Sequence, residues 1–298
     1  MKLIKQSFQF VNQKGFTLKD IYKHIEYCAR ISYKSQDKIT DTSYEKFVNM
    51  LESRGHDRPL EFGTVHLKMP EHEFRSLIDI LTSSRTYNDL WIHYKVVETW
   101  EEGYTVYVTT NYRYYKLMWN QMNTLSEYFD KTDSEYYPKR YTIHMILDRG
   151  VMDEFRTHVG LSHLAESTRY CNYSKDKFGN EITFIKPNWY KGHLEPTNSV
   201  YEPDYETSEL FLQACEDAEG WYLNLLKEGL TPQQARSVLP LSIKSELISC
   251  GFEDAWENFF KRRSPKYGDS GAHPMAAEIA DKLCEEFLER GFIDKKKI

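Results

Sequence analysis

The amino-acid sequence predicts an α+β domain, on the basis of three strand-like segments and a helical second half. One segment follows Gly55, and the other two, 104–115 and 141–148, are rich in β-branched and aromatic residues, as strands require. From Met152 onward the apolar residues recur mainly at helical spacing. Strands grouped early in the chain and helices grouped late are typical of the α+β class.

The first predicted helix covers residues 17–33, with Thr17 as its capping residue. Its apolar side chains recur at helical spacing, which indicates a face turned toward a core; they are Leu18, Ile21, Tyr22, Ile25, Cys28 and Ala29. The last segment, ARISY, moves toward extended structure, so that Arg30 and Ser32 are expected where a strand or loop begins.

A second helix is predicted near residues 43–54 and ends at Gly55, a residue typical of helix C-termini. The following segment, HDRPLEFGTVHLKM, has strand-like composition, which places His56 at a helix-to-strand junction. Residues 71–95 are then predicted to be helix and loop.

Three further helices are expected near residues 207–228, 232–262 and 274–291, the last two separated by a loop that contains Pro and Gly. The chain has no internal repeat, no low-complexity stretch and no Gly/Ser-rich linker. We therefore expect a single domain over residues 1–298.

Composition and charge argue against several classes of protein. Hydrophobic residues make up 40% and charged residues 28%, which indicates a globular protein. The formal net charge of −6 argues against a general nucleic-acid binder, because such proteins carry an excess of Lys and Arg. The start MKLIKQSFQF lacks the apolar core of a secretion signal, and no window approaches the ~18 apolar residues of a membrane span. We therefore expect a cytoplasmic protein without membrane contact.

The five cysteines predict neither a disulfide framework nor a zinc site, because their number is odd and none forms a CxxC pair. We expect reduced thiols and no bound metal. Cys171 lies inside a polar motif and is an alternative nucleophile, although no Pro-Cys-His context surrounds it.

The densest polar segment spans residues 148–175. Within fifteen positions it carries Arg156, His158, Ser162, His163, Glu166, Ser167, Arg169 and Tyr170. Arg can grip a phosphate or a pyrimidine edge through its planar fork of donors, Ser can complete a phosphate cradle, and His can bond a cofactor. Taken alone, the segment is equally compatible with a solvated, salt-bridged surface helix.

Two later segments also carry candidate residues. In 231–247, Pro232 stands at a predicted helix start and Arg236 follows one turn later, near the positive end of the helix dipole, where an anion is favoured. A surface arginine is the plain alternative. In 255–274, Asn258 precedes Arg263 by five residues, a spacing that does not by itself put both on one helical face.

Together, five segments resemble, in order and spacing, the flavin-dependent thymidylate synthases, also called the thymidylate synthase complementing protein family. They are ARISY (29–33), GHDRPLEFGTVHL (55–67), ESTRYCNYSK (166–175), ARSVLPL (235–241) and NFFKRR (258–263). The resemblance runs over most of the chain and implies a central, mainly antiparallel sheet packed with helices. It also marks residues 70–140 as an insertion at the active-site edge or at a subunit interface.

The resemblance implies conversion of dUMP to dTMP, with methylenetetrahydrofolate as carbon donor and with FAD, reduced by NADPH, as hydride carrier. It also implies a homotetramer whose active sites lie where subunits meet. The implied FAD contacts are His56, Arg58, His158 and Asn258, and the implied dUMP contacts are Glu154, Ser167, Arg169, Arg236 and Arg263.

Within that set, Arg236 matches a phosphate ligand. Arg263 and Ser167 are the expected catalytic residues. Arg263 would stabilise negative charge on the pyrimidine, since Arg never deprotonates, whereas Ser167 would position the substrate rather than act as a nucleophile.

The chain departs from the family pattern on the flavin side. The family has Arg-His-Arg where this sequence has Thr157, His158 and Val159, and Phe62 and Ala165 also replace polar residues. Three functions therefore stay open: a synthase that makes dTMP, an enzyme of the same family that makes another product such as a hydroxymethylated pyrimidine nucleotide, and a non-catalytic nucleotide-binding member.

Overall fold

A computed structural model describes residues 1–83, 93–100, 103–169, 171–175, 179–191, 203–268 and 271–298. The strands are β1 (Lys2–Ile4), β2 (Ser7–Phe10), β3 (Thr64–Pro70), β4 (Tyr94–Thr99), β5 (Thr105–Asn111), β6 (Phe129–Asp130), β7 (Arg140–Asp148), β8 (Ser162–Ala165), β9 (Thr183–Ile185) and β10 (Lys244–Phe252). The α-helices are α1 (Leu18–Tyr33), α2 (Ser43–Ser53), α3 (Glu71–Ser83), α4 (Tyr112–Gln121), α5 (Arg149–Arg156), α6 (Pro203–Lys227), α7 (Pro232–Ala235), α8 (Glu253–Arg263) and α9 (Pro274–Glu289).

The predicted α+β class is confirmed, with antiparallel pairing in both of the larger sheets. The first sheet has the strand order β2-β7-β10-β8, and the second has the order β4-β5-β3-β6. Strands β1 and β9 form a small parallel pair. The antiparallel arrangement that the resemblance implied is thus divided over two sheets.

The first sheet packs against α5, α8 and α9. Its two central strands, β7 and β10, pair along their whole length, from Lys244 opposite Asp148 to Phe252 opposite Arg140. Trp256, Phe259, Phe260 and Phe287 fill the space between the sheet and the helices. These large rings give the sheet that carries the site a rigid support, since each buries extensive apolar area.

The second sheet packs against α1 to α4 around buried aliphatic and tyrosine side chains. The segment 70–140, which was predicted to be an insertion, supplies β4, β5 and β6 together with α3 and α4. Residues 84–92 and 101–102 of that segment lie outside the described residues.

One predicted helix, 232–262, is wrong in its middle. Helix α7 stops at Ala235, and β10 occupies Lys244–Phe252 before α8 begins. From Ser245 to Phe252 every residue of this central strand is buried. A strand covered on both faces has no alternation of polar and apolar residues, so that its pattern cannot be told from that of a buried helix.

Three shorter predictions also need correction. The segment ARISY is helical, because α1 continues to Tyr33 and ends only at Lys34, whose φ of 50° lies in the left-handed region. The strand predicted at 104–115 ends at Asn111, whose side chain accepts the backbone N–H of Tyr114 and caps α4. Finally, the segment after Met152 contains a short strand, β8, in addition to the helix.

None of the described helices combines the length and the apolar run needed to cross a bilayer. All five cysteines are buried free thiols.

Candidate functional site

A cleft of about 1010 Å³ opens beside the end of β8. Six parts of the chain form its walls: the end of α1, the loop after α2, the start of α4, α5, β8 with the loop that follows it, and the segment after α7. Its lining includes His56, Asp57, Arg58, Arg113, Arg149, Arg156, His163, Glu166, Ser167, Thr168, Arg169 and Arg236. Residues more than 200 positions apart in the sequence therefore meet at one surface.

The cleft is strongly cationic, although the whole chain carries a net charge of −6. Six arginines line it, but its lining contains only two carboxylates, those of Asp57 and Glu166. Since water is partly excluded from a cleft, charges there act over a lower effective dielectric constant than on open surface. The cleft is therefore suited to anionic ligands.

Five of the residues predicted for the site lie together in this cleft. His56 and Arg58, expected to contact FAD, occupy one wall, and Ser167, Arg169 and Arg236, expected to contact dUMP, occupy another. The structure thus brings part of each predicted set to one surface within a single chain.

The loop that carries Ser167 is held by two backbone hydrogen bonds. The N–H of Glu166 donates to the carbonyl of Glu246 at 2.7 Å, and the N–H of Ser167 donates to the carbonyl of Ser32 at 3.1 Å. Strand β10 and the end of α1 therefore fix where the Ser167 side chain enters the cleft.

Arg236 stands at the boundary between this cleft and a neighbouring cavity of about 500 Å³, which Arg149 and Thr168 also line. One Nη atom of Arg236 donates to the hydroxyl of Thr168 at 2.9 Å. The prediction that Arg236 lies near the positive end of a helix dipole is wrong. Helix α7 has only four residues, and Arg236 follows its last residue. The guanidinium charge itself is what can attract a phosphate here.

A buried group of charged residues lies behind the Ser167 loop; we call it the ionic cluster, and it consists of Lys34, His144, Glu166, Lys244 and Glu246. Lys244 contacts Glu166 at 2.9 Å and also contacts Glu246, which pairs with Lys34 as well. The ring of His144 lies 3.0 Å from the second carboxylate oxygen of Glu246.

Burial alone would raise the pKa of Glu246. The hydrogen bond with His144 and the charges of Lys244 and Lys34 outweigh burial and hold that pKa well below its usual range. Glu246 is therefore ionised at neutral pH. No sequence pattern indicated Lys244 and Glu246 as members of the cluster, because both fall in the stretch wrongly predicted to be helix.

His163 contributes a neutral imidazole to the cleft. Burial lowers its pKa to about 4, and the charges of Arg58 and Arg156 act in the same direction. One ring nitrogen lies 3.2 Å from the carbonyl of His158, which can only accept a hydrogen bond, and the other lies 2.8 Å from the Ser249 hydroxyl. This assigns the proton to Nε2 and leaves Nδ1 to accept from Ser249.

Four other predicted residues lie outside this cleft. Arg263 donates to the Glu154 carboxylate at 3.3 Å and to its backbone carbonyl at 3.1 Å. His158 is buried against the ring of Phe259, and burial lowers its pKa to about 4.

Asn258, the fourth of these residues, lines a separate pocket of about 190 Å³ beside Val159. The side-chain oxygen of Asn258 accepts a hydrogen bond from Arg262 at 3.2 Å. The structure therefore separates Asn258 from His56 and Arg58, the two predicted FAD contacts that line the cleft.

The alternative nucleophile Cys171 is unsuited to that role. Its side chain is buried, and burial raises its thiol pKa to about 12, with the Glu166 charge acting in the same direction. A thiol in this state stays protonated at neutral pH and is a poor nucleophile. Tyr170, which belongs to the same polar segment, lies outside the described residues.

Several residues that line the cleft were not assigned a role from the sequence: Arg113, Arg149, Arg156, His163 and Thr168. Four of these residues, Arg149, Arg156, His163 and Thr168, lie in the dense polar segment 148–175, which is the only sequence signal for them. Arg113 comes from α4 and meets the site only through the fold. In the described part of the chain, no group of three or more His, Cys, Asp or Glu side chains is placed to hold a metal ion.

Comparison with known proteins gives one family. The model of the family described as "Thymidylate synthase complementing protein" matches residues 138–289, just over half of the chain. No curated protein is significantly similar in sequence. Two solved structures of the UMP/dUMP methylase PolB from Streptomyces cacaoi, bound with 5-Br UMP and 5-Br dUMP, cover 100% of this chain and 94% and 95% of their own. Their TM-scores are 0.46 and 0.42, at 14% and 15% identity.

Proposed function

Because the chain belongs to the thymidylate synthase complementing protein family, we propose that it is a flavin-dependent thymidylate synthase. It would convert dUMP to dTMP, with methylenetetrahydrofolate as carbon donor and with FAD and NADPH as the source of reducing equivalents. The observation that carries this proposal is the single cationic cleft, since one surface joins His56 and Arg58 to Ser167, Arg169 and Arg236.

The charge of the cleft supports two anionic ligands rather than one. Six guanidinium groups and two carboxylates line it. Three of these guanidinium groups also pair with carboxylates outside the lining, those of Glu61 and Asp153. Within the described residues, Arg58 and Arg236 form no ion pair, so that one phosphate-bearing ligand could bind at each.

The donors on the His56 wall fit the flavin dinucleotide. Within the described ranges, no carboxylate forms an ion pair with Arg58, so that its guanidinium is available to a phosphate. His56 lies beside it and can donate or accept a hydrogen bond. FAD, when bound, would supply the hydride that NADPH provides.

The donors on the other wall fit dUMP. Arg236, steadied by Thr168 and close to Arg149, would hold the phosphate. Ser167 and Arg169 would orient the pyrimidine, and the neutral ring of His163 would lie in the cleft without adding charge. The chain's residues would thus bind and orient the substrate.

Arg263, Glu154, His158 and Asn258 lie outside the cleft of their own chain, and this supports a site completed by another subunit. In the proposed homotetramer, a second copy would bring Arg263 and Glu154 to the pyrimidine as a pre-formed pair. The guanidinium of Arg263 would stabilise negative charge on the ring, which makes the pyrimidine C5 a better nucleophile.

One observation favours the alternative of another product. Thr157 and Val159 stand where the family has two arginines, and Val159 is 71% exposed. In a site completed by another subunit, an apolar side chain at that position would remove a positive charge from the surroundings of the carbon donor or the flavin. The same replacement also motivates the third alternative, a member that binds nucleotide without catalysis.

The test is a reaction of the purified protein with FAD, NADPH, methylenetetrahydrofolate and dUMP, followed by mass analysis of the nucleotide. A product heavier than dUMP by one methylene unit is expected. A hydroxymethylated product would replace the proposal by the second alternative. Unchanged dUMP with bound nucleotide would replace it by the third.

A further inference from the structure

Arg113 reaches the cleft from the segment that was predicted to be an insertion. It lies at the start of α4, directly after strand β5, and the backbone N–H of its neighbour Tyr112 donates to the carbonyl of Gly63 at 2.8 Å. The side chain is 40% exposed and lines the cleft beside Asp57 and Arg58.

A buried carboxylate holds the Arg113 side chain in place. One Nη atom donates to Glu61 at 2.6 Å, while the second carboxylate oxygen of Glu61 accepts from Ser162 at 2.7 Å. Glu61 is only 6% exposed. The other Nη atom forms a long ion pair of 4.0 Å with the carboxylate of Asp57; because this distance is beyond a hydrogen bond, its N–H groups can still donate to a ligand.

Within its own chain, the cleft is not lined by the positions of the missing family arginines. Thr157 and Val159 are exposed and are absent from its lining, whereas Arg58, Arg113 and Arg156 are all part of it. The positive charge near His56 therefore comes from Arg58, Arg113 and Arg156. Of these three arginines, Arg113 is the one that a buried carboxylate orients.

We propose that Arg113 binds the pyrophosphate of the dinucleotide cofactor, beside Arg58. One Nη atom of the Arg113 guanidinium is held by the Glu61 carboxylate, and the other can donate to a phosphate oxygen. The side chain is thus pre-organised, because little side-chain entropy is lost when the phosphate binds. The inference rests on the proposed function, since it takes FAD as the ligand. It makes the segment 70–140 part of the cofactor site.

The experiment measures binding of FAD, riboflavin and dUMP by titration of flavin or protein fluorescence. Arg113→Met should weaken FAD binding roughly ten- to hundred-fold, the effect of losing a charge-assisted contact. Binding of riboflavin, which has no phosphate, and of dUMP should change little. Arg113→Lys should retain part of the FAD affinity, because the charge stays but the fork is lost.

Lys116→Met is the matched control, since Lys116 lies one turn further along α4 and pairs with Glu52 away from the cleft. It should leave all three affinities unchanged. Ser162→Ala removes the other hydrogen bond to Glu61 without removing a cation, and it should lower FAD affinity less than Arg113→Met does. If Arg113→Met folds poorly, the FAD and riboflavin affinities of Arg113→Lys are compared with those of the wild-type protein instead.

Equal weakening of FAD and riboflavin in the Arg113 variants, or a loss of dUMP binding instead, would overturn the inference. So would a wild-type protein that binds no FAD. A wild-type protein that binds FAD in an Arg113-dependent way but forms no dTMP would leave this inference standing and remove only the proposed function.

Discussion

Arg263 and Glu154 are joined by two hydrogen bonds, one from an Nη atom to the Glu154 carboxylate at 3.3 Å and one from the other Nη atom to its backbone carbonyl at 3.1 Å. This pair connects the end of α8 to α5 and fixes the plane of the guanidinium. Arg262, the preceding residue, instead donates a hydrogen bond to the side-chain oxygen of Asn258 at 3.2 Å. The structure therefore gives the two adjacent arginines different surroundings.

We predict that Arg263→Lys lowers nucleotide binding modestly and slows methyl transfer much more. A lysine keeps the positive charge but loses the two-pronged geometry that would act on the ring. Arg262→Lys is the matched control and should alter neither. Single-turnover flavin oxidation measures the reaction rate, and dUMP titration measures nucleotide binding. If Arg262→Lys slows flavin oxidation and Arg263→Lys does not, the role belongs to Arg262.

Arg236→Ala should weaken binding of dUMP by about 1.5–3 kcal/mol and binding of deoxyuridine far less, because a charge-assisted contact to the phosphate is lost. Isothermal titration with both ligands measures the difference. Arg290→Ala, which removes an arginine paired with Glu286 on the surface, is the control and should change neither affinity. Equal losses for the two ligands would exclude Arg236 as the phosphate ligand.

Lys244→Met should destabilise the protein by about 3 kcal/mol, because it removes one cation from the ionic cluster and leaves Glu166 and Glu246 less well compensated. Urea denaturation measures the loss. Lys282→Met breaks an exposed pair with Glu278 and should shift the midpoint little. Similar midpoints for the two variants would show that Lys244 makes no net contribution to stability through the cluster.

Stability should fall as the pH is lowered from about 6.5 to about 4. Burial lowers the pKa of four histidines to about 4; they are His24, His66, His158 and His163. In the unfolded chain their pKa is about 6.5, so that the unfolded state binds more protons within this window. The contribution of these histidines to stability is fully present above about pH 6.5 and is lost progressively as the pH falls to about 4. Urea midpoints between about pH 7.5 and 4.5 test the slope.

The His66→Phe variant isolates one of these groups. His66 is stacked between Phe16 and Tyr137, with ring centroids 3.8 Å from each, so that a phenyl ring retains the stacking and removes the titration. The slope of stability against pH should become shallower. His72→Gln, at a residue whose side chain is 79% exposed, should leave the slope unchanged, and identical slopes in both variants would contradict the assignment.

The purified protein should be yellow and tetrameric, because the proposed flavin site is shared between subunits. Light scattering and the flavin absorption spectrum measure the two properties. Bound FAD is expected to raise the tetramer fraction, since a ligand that contacts two subunits favours their association. A colourless monomer at micromolar concentration, even with added FAD, would exclude the proposed assembly.

Local sequence patterns were enough for the fold class and for several residues that line the candidate cleft. The helix at Leu18–Tyr33 and the strand at Arg140–Asp148 follow from periodicity and from β-branched composition, which act over neighbouring residues. The segments around Ser167 and Arg236 were identified as polar motifs, and the structure places both in one cleft.

The amino-acid sequence carries the features from which the site was predicted: arginines suited to a phosphate, a dense polar segment and the motifs of a known family. Which of these residues share a surface depends on the tertiary structure. The fold brings Arg113 into the cleft and leaves Arg263 and Asn258 outside it. The physical reason is that strand β10 is buried on both faces, so that its sequence shows no alternation of polar and apolar residues from which a strand could be predicted. This strand sets the positions of the Ser167 loop and the ionic cluster.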